Sequence, residues 1–156
     1  MENIADEEKM IDELQAFLDD HGINHFEAHE IVRARRWNKL LSPHKDLWGN
    51  IVPALTIADC AREALGAPVR CASGYRSERY NVVVGGSETS EHLSFKALDL
   101  QPVDPSLMDR FREIMIALVE YARSQGVDAR MIHYGTFVHV DVGAAEGKPR
   151  GSRLSF

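Results

Sequence analysis

The sequence predicts an α+β fold: a small, mainly antiparallel sheet with helices packed on it. Three observations carry the reading. Helical periodicities fill most of the first 65 residues, β-rich runs cluster late, and one long helical period near 105–125 interrupts them. No internal repeat or low-complexity segment competes with this pattern.

The elements follow in order. Ile4, Ile11, Leu14, Phe17 and Leu18 recur at helical spacing over residues 4–20, and His21-Gly22 supplies a stop. A shorter helix is expected over 26–35. From Trp37 to Asn50 no period is clean, and Pro43 and Gly49 favour loop. A third helix spans 53–65, with proline at its start and Gly66 just past its end. A strand covers 69–72. The stretch 73–92 is rich in glycine and hydroxyls, with a helical turn expected near Ser77–Val82. A strand at 96–101 precedes the long helix, which Pro105 opens and Gly126 ends. Strands at 129–134 and 137–142 are expected to form a hairpin about Gly135.

Composition narrows the function. At 156 residues the chain reads as one domain over 1–156, with an N-terminal helix in 1–22 and a Gly-, Pro- and Arg-rich tail from 143 to 156. A core of useful size needs no disulfide staples at this length. Cys60 and Cys71 form no CxxC pair and are expected as two buried free thiols. The 18 Lys+Arg against 24 Asp+Glu give a net charge of −6, the wrong balance for a binder that neutralises nucleic-acid phosphates. The acidic start has no apolar signal core, and no apolar run approaches the ~20 residues that span a bilayer. The expectation is a protein cytoplasmic as synthesised, without nucleic-acid or membrane partner. Any extracellular action would then require lysis or a non-classical export route.

The chemistry concentrates in three places. In Phe137-Val138-His139-Val140-Asp141-Val142, strand alternation puts His139 and Asp141 on one face and the valines on the other. Such a pair costs burial energy unless it is partnered or binds something. Asp99 alternates with Leu98 and Leu100, and His92 lies shortly before that strand. Two histidines and one aspartate suit a catalytic zinc site with a fourth position open, although spacing alone equally fits a histidine pair held by ordinary hydrogen bonds. In Ser73-Gly74-Tyr75-Arg76-Ser77 an arginine on a glycine-containing loop offers a fork to a carboxylate or polarised carbonyl, or is simply solvated.

These pieces stand in an order that resembles a known family. Ser73-Gly74-Tyr75-Arg76 is followed by Tyr80-Asn81, Val84-Gly85-Gly86-Ser87, Ser90-x-His92-Leu93, Ala97-x-Asp99-Leu100 and Phe137-Val138-His139-Val140-Asp141. The run, from about Phe26 to Val142, resembles the M15 peptidases of the zinc D-alanyl-D-alanine carboxypeptidase type, whose fold is shared with the Hedgehog signalling domain. The resemblance implies that His92, Asp99 and His139 bind Zn2+, that Arg76 faces the substrate beside the metal with Tyr75 next to it, and that Ser90 hydrogen-bonds in the site. It implies hydrolysis of peptide bonds in peptidoglycan stem peptides, as a D,D-carboxypeptidase or endopeptidase, with a phage or prophage lysis role fitting the missing signal sequence. The expected partner is a peptidoglycan peptide, and the expected state a monomer.

Two departures from the family pattern matter. Well-studied branches carry an acidic residue three positions before the last histidine ligand, where this chain has Thr136. His133, which would face His139 in a hairpin about Gly135, and Asp141 are the candidates for the missing general base. Asp141 has the alternative role of a carboxylate that orients a ligand histidine. Glu88 and Glu91 fall on the flexible side of the site and are weaker candidates. Without a base, the chain would be a non-catalytic zinc-binding domain of the same fold, serving as a binding or structural module. The second departure is Phe95, where the family commonly has glycine. It either narrows the cleft or packs. His25 and His29, one helical turn apart, read as surface histidines, with adventitious metal binding the less favoured alternative.

Overall fold

The computed structural model describes residues 4–143, and the expected tail beyond Gly143 lies outside them. The fold is α+β, as the pattern predicts. Four strands form an antiparallel sheet in the order β3-β4-β6-β5: β3 (Val69–Ser73), β4 (Ala97–Pro102), β5 (Ala129–His133) and β6 (Val138–Val142). Alternation gives this sheet two unlike faces. Leu98, Leu100, Met131, Val138 and Val140 are all fully buried on one of them. The helices α3 (Val52–Leu65) and α5 (Met108–Ser124) pack on that side and on each other, and a short helix, α4 (Glu78–Val83), falls between β3 and β4. The opposite face carries Asp99, His139, Asp141 and Arg130, brought together by the pairings Asp99↔His139 and Arg130↔Asp141.

The helices begin and end where their sequence dictates. Pro53 sits in the first turn of α3, where its missing N–H costs nothing, and Gly66 ends the helix in the left-handed region at φ +69°. Asp104 accepts the Ser106 N–H at the approach to α5. The first helix, α1 (Ile4–Asp20), is part of the core rather than an appendage. Leu14 and Leu18 are fully buried, and the Gln15 carboxamide oxygen accepts the Ala28 N–H at 2.7 Å.

Three expectations are corrected here. The helix expected over 26–35 is a single turn, α2 (Ala28–Ile31); the chain then turns into a two-stranded hairpin, β1 (Arg33–Ala34) with β2 (Lys39–Leu40). The stretch expected as mostly loop ends in a 3-10 helix, Lys45–Ile51, whose Trp48 and Ile51 are buried. Both segments are short and fixed by tertiary contacts rather than by period. Finally, the thiols are free as expected, but Cys60 is exposed and only Cys71 is buried: Cys60 falls on the outward stripe of α3. None of the described helices is long and apolar enough to cross a membrane.

Candidate metal centre

The site is assembled by two strands and one loop. Asp99 comes from β4 and His139 from β6, side by side in register. His92 comes from the turn that precedes β4 and is 2% exposed. One ligand atom from each residue can be chosen so that all three lie within 4.8 Å of one another. His92 Nε2 is 3.3 Å and His139 Nδ1 2.9 Å from the same oxygen, Asp99 Oδ1.

The far side of each imidazole decides what the near side can do. His92 Nδ1 donates to the Gly74 carbonyl at 2.7 Å, which leaves Nε2 turned toward Asp99. His139 Nε2 donates to Asp141 Oδ2 at 2.6 Å, which leaves Nδ1 turned toward Asp99. Metal-binding histidines are held in this way, with the outer N–H given to a carbonyl or carboxylate. Two imidazole nitrogens and one carboxylate oxygen, converging with the outer nitrogens occupied, fit a divalent cation in place of the protons they otherwise share, with a further position open to a cavity.

Electrostatics follow the same geometry. Burial would raise the Asp99 carboxyl, but hydrogen bonds from His139 and His92 outweigh it and hold the group well below the usual range. Burial pushes His92 down, and Asp99 offsets this only in part. Burial would also push His139 down, yet the carboxylates of Asp141 and Asp99 on its two nitrogens raise it instead. Asp141, opposed by burial, is held low by His139 and by Arg130. Arg130 gives both Nε (2.9 Å) and Nη2 (2.6 Å) to Asp141 Oδ2.

Arg76 occupies the other side of Asp99. Its Nη2 lies 3.3 Å from Asp99 Oδ2, its Nη1 donates to Asn81 Oδ1 and its Nε to Ser73 Oγ. Burial makes the guanidinium somewhat less basic than usual, against the pull of Asp99. Two glycines make room for this arrangement. A Cβ on Gly74 would overlap the Ile31 carbonyl, and one on Gly86 would overlap the Asn81 side chain and crowd Arg76. Gly86 is therefore a steric requirement of the arginine's seat, and Gly74 of the close approach between its loop and Ile31.

A cavity of about 260 Å3 opens over the centre, and His92, Asp99, His139, Arg76 and Ser90 all line it. Ser90 Oγ accepts the His92 N–H at 3.2 Å. Other expected residues are placed elsewhere. Tyr75 is absent from this wall: it packs edge-on against Phe95 and lines a separate groove with Trp48 and α1. Phe95 is fully buried, so it packs rather than narrowing the cleft.

His133 does not face His139. Tyr134 N–H donates to the Phe137 carbonyl across a two-residue turn, Gly135-Thr136, and the register sets His133 opposite Val138 and Ile132 opposite His139. A loop with an even number of residues reverses the face that an odd one would give. His133 accordingly lies on the helix-covered face, where its Nδ1 accepts from Arg112 Nη1 of α5. Asp141 is on the metal face but wholly buried behind His139, off the cavity wall, and its contacts are those of an orienting carboxylate. Thr136 also lies away, lining another cavity with Pro105 and Met108. Glu91, ranked low from sequence, is 3% exposed and lines the site. Arg130 was missed; the signal for it is its place opposite Asp141 in a hairpin with a two-residue turn. His25 and His29 meet Glu63 and Glu27 and belong to no metal-capable cluster among the described residues.

An α+β domain with a buried His/Asp/His set beneath an arginine-lined cavity belongs to the metallopeptidase class of sites. The family model for Peptidase M15 matches residues 24–141, and the chain is a member of that family. Comparison with curated proteins and with solved structures gives no match.

Proposed function

We propose that this protein is a zinc-dependent peptidase that hydrolyses peptide bonds in peptidoglycan stem peptides, as a D,D-carboxypeptidase or an endopeptidase, in a setting such as phage or prophage lysis. The observation that carries the reading is the pair of fixed imidazoles: each histidine's outer nitrogen is spent on Gly74 or Asp141, leaving its other nitrogen to converge with Asp99.

His92 Nε2, His139 Nδ1 and an Asp99 oxygen would hold the ion. When bound, it polarises a scissile carbonyl and acidifies a water molecule. The chain's own groups do the rest. Asp141 and Arg130 keep His139 in one tautomer and one orientation. Arg76, immobilised by Ser73, Asn81 and Asp99, presents positive charge where a tetrahedral intermediate develops negative charge, a preorganised stabilisation of the oxyanion kind. Ser90 fixes the backbone at His92. The proton acceptor must stand on the cavity wall. Among the described residues Glu91 is the wall carboxylate that is not a ligand, and we assign it that role in place of His133 or Asp141.

The test is metal content and release of D-alanine or cleaved stem peptide from purified muropeptides, beside His139→Ala and Glu91→Gln. One equivalent of zinc with turnover, both lost in His139→Ala, supports the peptidase. Turnover lost in Glu91→Gln with zinc retained supports the base. The placement of Thr136 away from the site favours a second reading, a metal-binding module without catalysis. One equivalent of zinc with no cleavage of any muropeptide would establish that module and end the peptidase reading.

A further inference from the structure

Away from the metal centre, three arginines line one cavity. Arg33 belongs to β1, Arg35 follows it in the hairpin, and Arg70 belongs to the edge strand β3. The cavity measures about 370 Å3, within the range of ~300–1,000 Å3 usual for small-molecule sites, and it shares no lining residue with the metal centre.

The guanidinium groups are not neutralised by the wall. Among the described residues none of the three stands in an ion pair; Arg33 makes one hydrogen bond, Nη1 to Asn38 Oδ1 at 3.2 Å. The two wall carboxylates are engaged otherwise. Glu27 Oε2 lies 3.2 Å from His29 Nδ1, and Glu30 Oε2 accepts the Cys71 N–H at 3.2 Å. Burial raises Glu30, and the hydrogen bonds it accepts from the Cys71 and Glu27 backbone offset this only in part. A chain of net charge −6 thus gathers three guanidinium forks, none held in an ion pair among the described residues, around one concavity. The wall carries three guanidinium groups against two carboxylates, and a surplus of one sign of charge around a concavity concentrates ligands of the other sign. Guanidinium forks match tetrahedral oxyanions bidentately, phosphate above all.

We propose that this cavity binds a phosphate group, free or carried on a phosphodiester chain. Such a site gives an acidic protein a local hold on an anionic polymer that its net charge would otherwise repel. The inference does not depend on the peptidase reading.

The full-length protein, 15N-labelled, is titrated at low, fixed ionic strength with inorganic phosphate and, separately, with an oligomer of glycerol phosphate. Saturable shifts are expected at the Arg70 and Cys71 amides, weakened at least about tenfold in R33Q/R35Q/R70Q and strengthened in Glu30→Gln. Tighter binding of the oligomer assigns the site to a phosphodiester chain; equal binding assigns it to the free ion. No saturable shift at these amides with either probe overturns the proposal, as does an unchanged affinity in the triple variant. If the triple variant does not fold, Arg70→Gln alone decides: affinity reduced several-fold upholds the site, and an unchanged value overturns it.

Discussion

The two faces of the central sheet obey opposite rules although they are made from the same strands. On one, Leu98, Leu100, Val138 and Val140 bury apolar surface under α3 and α5, and any residue of similar volume and polarity would serve. On the other, Asp99, His139 and Asp141 are also buried, and each has a named partner, half-buried Arg130 among them, with Asp141 Oδ1 alone of the three residues' side-chain oxygens and nitrogens left without one. Buried polar groups are costly unless every member of the network is paired. The first face therefore holds the fold and the second holds the chemistry. A single strand, β6, alternates between them residue by residue.

Neighbouring substitutions on β4 should separate the two roles most sharply. Asp99→Asn removes the central acceptor of both histidines. Bound metal and activity should fall by more than a hundredfold while the thermal transition of the metal-free protein stays cooperative. Leu98→Ala should do the reverse, costing about 2–5 kcal/mol of stability in chemical denaturation with one equivalent of metal retained. If both variants lose metal in proportion to stability, the division between the faces is wrong. Next in size is Asp141→Asn, which frees His139 to choose its tautomer. Metal affinity should drop ~10–100-fold, measured by competition with a chelator.

Acid provides a reagent-free version of the same comparison. Asp141 is held below the ordinary aspartate value of 3.8 by His139 and Arg130, against the effect of burial. A carboxyl lowered on folding binds protons less readily than in the unfolded chain. Its contribution is complete above the ordinary value and lost as pH falls through the lowered one. Metal-free protein should therefore lose stability below about pH 4, and Asp141→Asn should flatten that part of the profile.

Smaller effects test the edges of the comparison. Phe95 has φ +58° and is fully buried, so its backbone pays for a left-handed conformation that its ring repays by packing on Tyr75. Phe95→Gly should be no less stable than Phe95→Ala by denaturation, contrary to the usual order of these residues. Least of all, His133→Ala should leave metal affinity and turnover within about twofold, because the ring belongs to the helix-covered face.

That last residue shows what the sequence could and could not supply. Parity along one strand was legible: His139 and Asp141 share a face, Asp99 turns away from the leucines, and the valines point to the core. These are local facts, set by the period of two. Parity between strands was not legible, because it depends on whether the turn holds an even or odd number of residues. Gly135 signalled the turn without counting it. Likewise the ordered motifs led to His92, Asp99, His139 and Arg76, which converge. The loop positions Tyr75 and Glu91 could not be aimed without knowing that Tyr75 packs on Phe95 and that Glu91 lies buried on the wall. The β1–β2 hairpin escaped notice because two-residue strands carry no period at all.

The packing of α1 has a practical consequence for anyone cutting the gene. The family match begins at residue 24, which invites a shortened protein that starts there. Such a protein would strip Leu14 and Leu18 from the core and take the Gln15 carboxamide from the Ala28 amide. Ala28 opens the turn whose last carbonyl, at Ile31, accepts the Tyr75 N–H beside the Gly74 that steadies His92. The unit to be inherited, expressed or transplanted as one piece therefore starts before the recognisable family does.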